Sequence, residues 1–311
     1  MIDVSVIIIN FNTSTFTLEA VKSIYESQDS YQLKFEIIVV DNNSNLEDCT
    51  TLQQNLKGLN RANLKFIRSK INGGFSKGNM IGVQAASACK YYAFINNDTL
   101  QTGFNILGQL QEFMQQHKDV GICSPQMLDE HKNFRVTIDH FASLQREILR
   151  RPILETLFPK IYLNRKKRYT EPKQVNYVQG SFMFVDAKVF RELGGFDTNM
   201  FLYYEESDLS LRFLKEKQKL TFLVPNLEYI HYKGKSTTKN ILIKIEQKIS
   251  LLYYIRKHHG WLSYHILVKW YILRYFFTSI FKPSYWKLFY VLWIGAPLSK
   301  SLAHKQPIID S

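Results

Sequence analysis

Residues 4–12 read VSVIIINFN, and they indicate how the first part of the chain folds. Val4–Ile9 consists mostly of β-branched residues, which is typical of a strand that is buried on both faces. Phe16, Ala20 and Ile24 follow at helical spacing. The sequence therefore predicts a buried strand and, directly after it, an amphipathic helix.

The alternation of strands and helices continues through residues 1–125. Further strands are predicted over Phe35–Val40, Leu64–Ile67 and Tyr91–Ile95, and a helix opens at the glycine-rich turn 72–74 and runs to about Ala88. Strands that alternate with helices indicate an α/β protein with a mostly parallel sheet and right-handed crossovers.

The part that follows is less regular. Residues 129–174 show no periodicity and are basic, as an irregular connection would be. Later elements are predicted over Val175–Asp186 (strand), Asp208–Lys217 (helix) and Leu220–Val224 (strand). We assign residues 1–238 to one α/β domain and residues 239–311 to a helical region.

Polar clusters end three of the predicted strands. They are Asn10-Phe11-Asn12, Asp41-Asn42-Asn43 and Asn96-Asn97-Asp98. In open parallel sheets the ligand crevice lies beyond the carboxyl ends of the strands, so we expect the clusters to meet at one site. Oxygen-only side chains suit Mg²⁺ or Mn²⁺, which makes Asp98 a candidate metal ligand. The alternative is that these are ordinary polar loops.

An acidic cluster lies further along, in Glu205-Glu206-Ser207-Asp208 beside the aromatic stretch Phe201–Tyr204. Adjacent carboxylates repel each other and aromatic neighbours desolvate them, and both effects raise a pKa and prepare a general base. The alternative is a negative helix N-terminus that complements the helix dipole. His231 is either a structural histidine or, as a neutral imidazole, part of the metal shell.

The charge and the cysteine content of the chain narrow the range of its possible partners and compartments. The 311 residues carry a net charge of +13, which favours anionic partners unless it only marks a Lys-rich surface. Eleven Lys or Arg residues stand between 239 and 305 against one acid, Glu246. The three cysteines are widely spaced without a CxxC pair, which predicts buried thiols in a reducing compartment. No secretory signal is expected at the start.

The region after residue 260 is rich in aromatic residues. Trp261–Phe281 is long enough to span a membrane, but Lys269 and Arg274 would lie near its centre. The next apolar stretch, Tyr285–Ala296, is too short to span. Aromatic residues interleaved with cations favour helices that lie in the interface of an anionic membrane. A spanning helix and a soluble helical dimerisation or core module are the alternatives.

Six motifs resemble those of family 2 glycosyltransferases, and within that family the rhamnosyltransferase-like bacterial members. They lie, in this order, at 4–12, 39–44, 72–75, 96–99, 180–183 and 194–209. The resemblance covers roughly residues 3–235 and implies a GT-A fold that catalyses an inverting single displacement on a nucleotide-sugar donor.

The resemblance also implies roles for individual residues. Asp41 would bind the nucleobase, and the other nucleotide-binding positions would be Asn10, Phe11, Asn12, Asn43, Gly74, Asn96 and Asn97. Asp98 and His231 would hold Mg²⁺ or Mn²⁺, Glu206 with Glu205 would act as the base, and Gly180, Ser181 and Asp208 would contact the donor or acceptor sugar.

Two positions depart from the family pattern. Asn96 replaces the first Asp of the DxD element, which lowers the negative charge at the metal. Glu206 stands where the base is usually Asp. A glutamate side chain is one methylene longer than an aspartate. Either the backbone of Glu206 therefore lies further from the acceptor than that of the usual Asp, or Glu205 shares the role of the base.

The resulting hypothesis is a metal-dependent inverting transferase that moves rhamnose from dTDP-rhamnose to a hydroxyl of a growing lipid-linked cell-surface polysaccharide. Its partners would be the donor, a glycan or lipid-linked glycan and an anionic membrane surface, without nucleic acid. It would act in the cytoplasm, peripherally at the inner face of the plasma membrane.

Two alternatives remain open. One is a UDP-hexose or HexNAc transferase of the same fold, and one is a noncatalytic protein that binds membranes or anions. A nucleotidyltransferase is a further candidate, but such enzymes usually carry a Gly-rich, basic loop after the first strand. The sequence at that position is Asn10-Phe11-Asn12-Thr13, which argues against this class.

Overall fold

The computed structural model describes residues 1–28, 33–232 and 240–308. The strands are β1 (Ile2–Asn10), β2 (Phe35–Asp41), β3 (Leu64–Arg68), β4 (Cys89–Asn96), β5 (Thr99–Gln101), β6 (Val120–Leu128), β7 (Ile138–Asp139), β8 (Lys173–Val175), β9 (Tyr177–Val178), β10 (Phe182–Asp186) and β11 (Leu220–His231). The helices are α1 (Ser14–Gln28), α2 (Leu46–Gly58), α3 (Gly74–Ala85), α4 (Ile106–Gln116), α5 (Leu144–Leu149), α6 (Arg151–Leu157), α7 (Ala187–Glu192), α8 (Glu205–Lys217), α9 (Ile241–Phe281) and α10 (Trp286–Trp293). Short 3₁₀ turns cover Pro283–Tyr285, Leu298–Lys300 and Leu302–Lys305.

Nine strands of the described chain form one mixed sheet in the order β3-β2-β1-β4-β10-β6-β11-β5, with β8 also paired to β11. The four strands β3, β2, β1 and β4 are parallel, as are β6 and β11. Strand β10 enters antiparallel between β4 and β6. A mostly parallel sheet flanked by helices confirms the predicted α/β class.

The position of strand β1 in the sheet explains why Val4–Ile9 consists mostly of β-branched residues. Val6 and Ile8 pack into the core on one face of the sheet, with residues of α1, α2 and α4. Ile7 points to the other face and packs with residues of β2, α7 and α8. Because successive side chains alternate between two covered faces, every position from Val4 to Ile9 is apolar or small. The three cysteines are free and buried.

Two predicted strands differ in the structure. The stretch predicted as one strand over Val175–Asp186 is split, because β9 pairs with β7 whereas β10 pairs with β4. Gly180 and Ser181 lie in the turn between the two sheets. The strand predicted to end at Val224 continues to His231 through an irregularity between Val224 and Glu228. His231 is therefore the last residue of a strand rather than part of a following loop.

Helix α9 is broken at Gly260, where the backbone has φ 80° and ψ −179°. A positive φ of this size favours glycine, so the break is encoded locally. The part after Gly260 folds back with α10, and Leu267, Tyr271 and Leu292 are fully buried in their shared core. That core also contains Leu211 of α8. The predicted domain boundary between 238 and 239 lies outside the described residues.

The outer side of this helical hairpin carries a concentration of exposed apolar side chains, here called the aromatic face. It consists of Trp261, Leu262, Ile266, Trp270, Leu273, Phe276, Phe277, Ile280, Phe281, Trp286, Tyr290, Trp293 and Ile294. Residues 247–308 contain no Asp or Glu. In the described part of the chain, no helix combines the length and the apolarity that a membrane crossing requires.

Candidate functional site

The carboxyl ends of β1, β2 and β4 open into a cleft of about 380 Å³, here called the first cleft. Its lining includes Phe11, Gly74, Asn96, Asn97 and Asp98, all of them predicted nucleotide- or metal-binding residues. Five predicted residues from three separated segments therefore share one cavity. This is the arrangement expected where parallel strands end together at one edge of a sheet.

Asp98 lies in this cleft against the last residue of β11. His231 Nε2 is 3.0 Å from Asp98 Oδ1, across 133 positions of sequence. The backbone adds a second link, since the Tyr232 N–H donates to the Asp98 carbonyl at 2.9 Å. The Nδ1 atom of His231 is buried and has no hydrogen-bond partner among the described residues. The two predicted metal ligands are thus in direct contact.

This pair fits a divalent cation that takes its other ligands from a substrate. Carboxylate oxygen and imidazole nitrogen are both ligands of Mn²⁺-type ions. Within residues 1–28, 33–232 and 240–308, no group of three His, Cys, Asp or Glu side chains is arranged so that it could hold a metal ion. Two protein ligands with open positions for phosphate oxygens and water match the way such ions bind at phosphate-transferring sites.

Asn10 and Asp41 lie beneath the cleft rather than in its lining. The Asn10 Nδ2 donates to Asp41 Oδ1 at 2.9 Å, and to Ser44 Oγ and Asp48 Oδ2. The other Asp41 oxygen accepts from the Ser44 N–H at 3.2 Å. Both Asn10 and Asp41 are fully buried, so these side chains fix the loops around the cleft.

Two further predicted residues also bind the protein itself. Asn12 Oδ1 accepts from the Asn45 N–H at 2.8 Å. Asn43 Nδ2 donates to the Pro307 carbonyl at 3.0 Å. Neither residue lines the first cleft.

The glycine turn before α3 is held by Asn42, which belongs to one of the predicted polar clusters but was given no individual role. Asn42 Oδ1 accepts from the Gly73 N–H, and its Nδ2 donates to the Gly74 carbonyl, both at 3.0 Å. Gly74 has φ +70°, and a Cβ there would lie 2.1 Å from the Phe201 carbonyl oxygen. Residue 74 must therefore be glycine for this turn to pack against the Phe201 backbone, and the packing places the N-terminus of α3 in the wall of the cleft.

A second cleft, of about 400 Å³, adjoins the first. The two share Phe75, Asn96 and Leu202 in their walls. The second cleft is lined by Glu205 and Glu206 and also by Gly180, Ser181 and His231. The predicted base, the metal-binding pair and two of the three predicted sugar-contacting residues thus line two adjoining clefts.

The two glutamates begin α8 after a strained entry. Tyr203 and Tyr204 have φ of 73° and 72°, a conformation that large side chains rarely adopt. Tyr204 is held from the other side by Arg146, whose guanidinium lies 5.7 Å from the ring centre. Strain of this kind persists where the surroundings impose it, and here it directs Glu205 and Glu206 into the cleft.

Burial sets the protonation of both carboxyls. Burial raises the pKa of Glu205 well above its ordinary range, and the neighbouring Glu206 charge adds to the effect. Burial raises the pKa of Glu206 to about 7, with a smaller contribution of the same sign from Asp139. Oε2 of each glutamate is buried without a hydrogen-bond partner among the described residues. Glu205 is therefore the carboxyl that keeps a proton, and Glu206 is the one that can release it near neutral pH.

Ser181 and Gly180 form the wall opposite Phe75. The Ser181 and Tyr229 hydroxyls are hydrogen-bonded at 2.7 Å, and the Ser181 carbonyl accepts from the Asn96 N–H at 2.9 Å. A Cβ on Gly180 would approach the Phe75 ring to 3.2 Å. A larger residue at 180 would narrow the passage between the two clefts.

Asp208 does not line either cleft, although a sugar contact was expected. It lies on α8 with no exposed surface and binds Arg212, Lys257 and His258, at 2.8, 2.6 and 2.7 Å. Burial alone would raise the pKa of Asp208, but the hydrogen bond from His258 and the charges of Arg212 and Lys257 lower it to about 2. This carboxylate fastens α9 to α8.

We expect Asp208→Asn to lower the free energy of unfolding by about 3 kcal/mol, because the buried Arg212 guanidinium would lose its counter-charge. Urea unfolding at pH 7 measures this, with the exposed Asp119→Asn as the matched control. The depressed pKa means that the stabilisation is full above the ordinary value of 3.8 and is lost as the pH falls through about 2. A variant as stable as the control at pH 7 would contradict this role.

Several residues of the second cleft carried no recognisable signal in the sequence. Arg151 binds Asp139 through two hydrogen bonds of 2.7 and 2.8 Å, and both line the cleft. Gln247 reaches it from α9. Arg151 lies in the stretch predicted to be irregular, and Gln247 in the region predicted to be separate. No local pattern places either residue beside the acidic cluster.

Comparisons with known proteins agree with this geometry. The profile of "Glycosyl transferase family 2" matches residues 5–194. An N-acetylglucosaminyl-diphospho-decaprenol L-rhamnosyltransferase of Mycobacterium tuberculosis is 32% identical over 95 residues, which are 29% of this chain and 31% of that protein. A low-salt glycan biosynthesis hexosyltransferase of Haloferax volcanii is 24% identical over 216 residues, which are 69% of this chain and 62% of that protein. The chain thus matches less than two thirds of either relative.

Among solved structures, a mannosyltransferase from Pyrobaculum calidifontis in complex with GDP-Man and Mn²⁺ has a TM-score of 0.58 at 13% identity. The superposition covers 96% of this chain and 86% of that one. It confirms the predicted GT-A type of fold. The profile covers more than half of the chain and confirms the predicted family and enzyme class: the chain belongs to glycosyl transferase family 2.

Proposed function

We propose that the chain is an inverting, divalent-cation-dependent glycosyltransferase that moves a sugar from a nucleotide donor to an acceptor hydroxyl. The observation that carries this proposal is the continuity of the two clefts. Asp98 faces the first cleft, its partner His231 faces the second together with Glu206, and Asn96 borders both. A donor in the first cleft would present its sugar to an acceptor in the second.

Glu206 is the proposed base. It takes the proton from the acceptor hydroxyl, whose oxygen forms a bond to the anomeric carbon while the bond from that carbon to the donor diphosphate breaks. The nucleoside diphosphate leaves from the opposite face, so the configuration inverts. Glu206 is preferred over Glu205 because it is partly exposed in the cleft, whereas Glu205 is buried.

Binding of the leaving group is assigned to the first cleft. Asp98 and His231 would hold Mg²⁺ or Mn²⁺, which when bound neutralises charge that develops on the diphosphate. The N-terminus of α3 at Gly74 directs the partial positive charge of the helix dipole towards the same anion. The mannosyltransferase of the same fold was solved with Mn²⁺, which supports the use of a divalent cation.

We propose dTDP-rhamnose as the donor and a lipid-linked glycan as the acceptor. The name of the Mycobacterium tuberculosis relative supports both, since it contains a rhamnosyl transfer and a diphospho-decaprenol acceptor. The Haloferax volcanii relative favours a hexose donor as the second candidate.

We further propose that the aromatic face rests on the anionic inner surface of the plasma membrane. Trp and Tyr side chains interleaved with cations are typical of helices in the lipid headgroup region. The absence of acidic residues from 247 to 308 matches a negatively charged surface. Attachment there would bring a lipid-linked acceptor close to the second cleft.

A donor screen tests the transferase proposal. The chain is incubated with dTDP-rhamnose, UDP-glucose, UDP-GlcNAc or GDP-mannose, with and without Mn²⁺, in the presence of a polyprenyl-diphosphate GlcNAc acceptor, and released nucleotide is measured. We expect turnover of one donor that requires the cation, and we expect Asp98→Asn to lower it about 100-fold. Asp119→Asn is the exposed control. Equal turnover without any divalent cation, or no loss in Asp98→Asn, would contradict the proposed metal role.

A further inference from the structure

The 301–308 segment returns from the helical hairpin to the carboxyl edge of the sheet. Leu302 and Gln306 of this segment line the first cleft, together with Ile243 of α9. Part of the wall of the first cleft is therefore built by residues that lie far beyond the matched family profile, which ends at residue 194.

Contacts at the C-terminal end of the 301–308 segment show where it lies along the carboxyl edge of the sheet. The Pro307 carbonyl accepts the hydrogen bond from Asn43, which follows β2. Ile308 forms an isolated antiparallel bridge with Ile71, which follows β3. Asp98 follows β4, so these contacts lie two and three strands away from it in the order β3-β2-β1-β4. Neighbouring strands are about 4.8 Å apart, which puts the segment roughly 10–14 Å along the edge from the Asp98 strand.

A buried carboxylate anchors the start of the segment. Glu246 of α9 is 1% exposed. Its Oε1 accepts from the Ser301 hydroxyl at 2.9 Å, and its Oε2 accepts from the Leu302 N–H at 2.7 Å. Because both carboxyl oxygens of Glu246 accept hydrogen bonds from the start of the segment, they hold Leu302 in the wall of the cleft.

The Gln306 side chain is oriented by the same turn. Its Nε2 donates to the Leu302 carbonyl at 2.9 Å. Its Oε1 accepts no hydrogen bond from the described residues, so it is available to a donor group in the cleft. Asp41, the residue first expected to contact a nucleobase, is fully buried and already bound to Asn10 and Ser44.

We propose that the 301–308 segment forms the nucleoside end of the donor site, with Gln306 as a specificity-determining residue. This inference rests on the proposed function, in which the donor diphosphate lies near Asp98. The nucleoside then extends along the sheet edge towards β2 and β3, where the segment lies. Gln306 Oε1 accepts a hydrogen bond from the nucleoside, and Leu302 with Ile243 packs against its apolar surface.

Calorimetric titration of the full chain tests this. UDP, dTDP and GDP are each titrated with Mn²⁺ into the wild-type chain, and the tightest binder is then titrated into Gln306→Ala and Leu302→Ala. We expect a five- to tenfold weaker Kd for Gln306→Ala, the effect of one lost hydrogen bond. The same factor should appear with the matching nucleoside monophosphate, because the lost contact is to the nucleoside. His304→Ala, an exposed position in the same turn, is the control.

The outcomes separate the two proposals. If none of the three nucleotides binds the wild-type chain, the proposed function fails and this inference fails with it. If a nucleotide binds and both variants keep its Kd within twofold, this inference alone is overturned. A loss seen with the diphosphate but not with the monophosphate also overturns it. Unchanged thermal melting of the variants shows that the loss is local.

Discussion

Glu206→Gln should lower turnover about 1000-fold while the Kd for the nucleotide donor stays within twofold. The substitution keeps the shape of the side chain but removes the atom that accepts the proton, and general bases of this kind contribute between about 100- and 10,000-fold. Glu216→Gln is the matched control, because Glu216 lies exposed on the same helix α8. Steady-state kinetics and calorimetric donor titration measure the two quantities.

The neighbouring carboxyl distinguishes the two glutamates. Glu205 keeps its proton because burial raises its pKa well above the ordinary range. Glutamine resembles that neutral form, so Glu205→Gln should cost much less turnover than Glu206→Gln. A larger loss in Glu205→Gln would assign the base to Glu205 instead. A noncatalytic binding protein would show no difference between either variant and the control.

The pH profile follows from the same assignment. A base works only when it is deprotonated, and the pKa of Glu206 is raised to about 7. Turnover should therefore increase as the pH rises through about 7, and this rise should be absent from the residual activity of Glu206→Gln. A profile that is flat from pH 6 to 8 would contradict Glu206 as the titrating group.

The triple variant Leu273→Gln, Phe277→Gln, Phe281→Gln should bind anionic vesicles about 1000-fold more weakly than the wild-type chain. These side chains are spaced by four residues on α9 and are 56%, 55% and 83% exposed. Inserting each into lipid contributes about 1.5 kcal/mol or more, and three together give roughly this factor. Glutamine preserves the helix while removing the apolar surface. Sedimentation with phosphatidylglycerol–phosphatidylcholine vesicles measures the binding.

A matched control uses exposed apolar residues outside the aromatic face. Phe104, Leu157 and Ile161 are 54%, 63% and 68% exposed, and their replacement by Gln should leave vesicle binding unchanged. Binding of the wild-type chain should weaken with added salt, since salt screens the attraction between cations and lipid. Oligomers of the wild-type chain that dissociate in the triple variant, with no vesicle binding by either, would show that the aromatic face joins copies of the chain.

Local sequence determined the elements around the first cleft. Strand β1 was predicted because only a strand covered on both faces requires an unbroken β-branched run such as Val4–Ile9. Polar clusters at the carboxyl ends of parallel strands lie at the same edge of the sheet, because the strands run in one direction. Phe11, Asn97 and Asp98 could therefore be assigned to one cleft without coordinates.

Short-range patterns did not show which way the polar side chains of those clusters turn. Asn10 and Asp41 belong to the same clusters as Phe11 and Asn42, yet they point inward and bind each other. Which residue of such a loop faces the cleft depends on left-handed backbone positions such as Asn12 and Asn43, at φ 55° and 67°. Packing selects these conformations, and the sequence pattern does not record them.

The α/β class, the family motifs, the acidic pair and the aromatic, cationic helical region could all be predicted, because neighbouring residues and their periodicity carry these features. The contacts between distant segments became known only from the folded chain. Examples are Asp98 with His231, Asp208 with His258, and Gln306 in the first cleft. Such contacts depend on how whole helices and strands pack, and no local preference of either partner encodes its distance to the other.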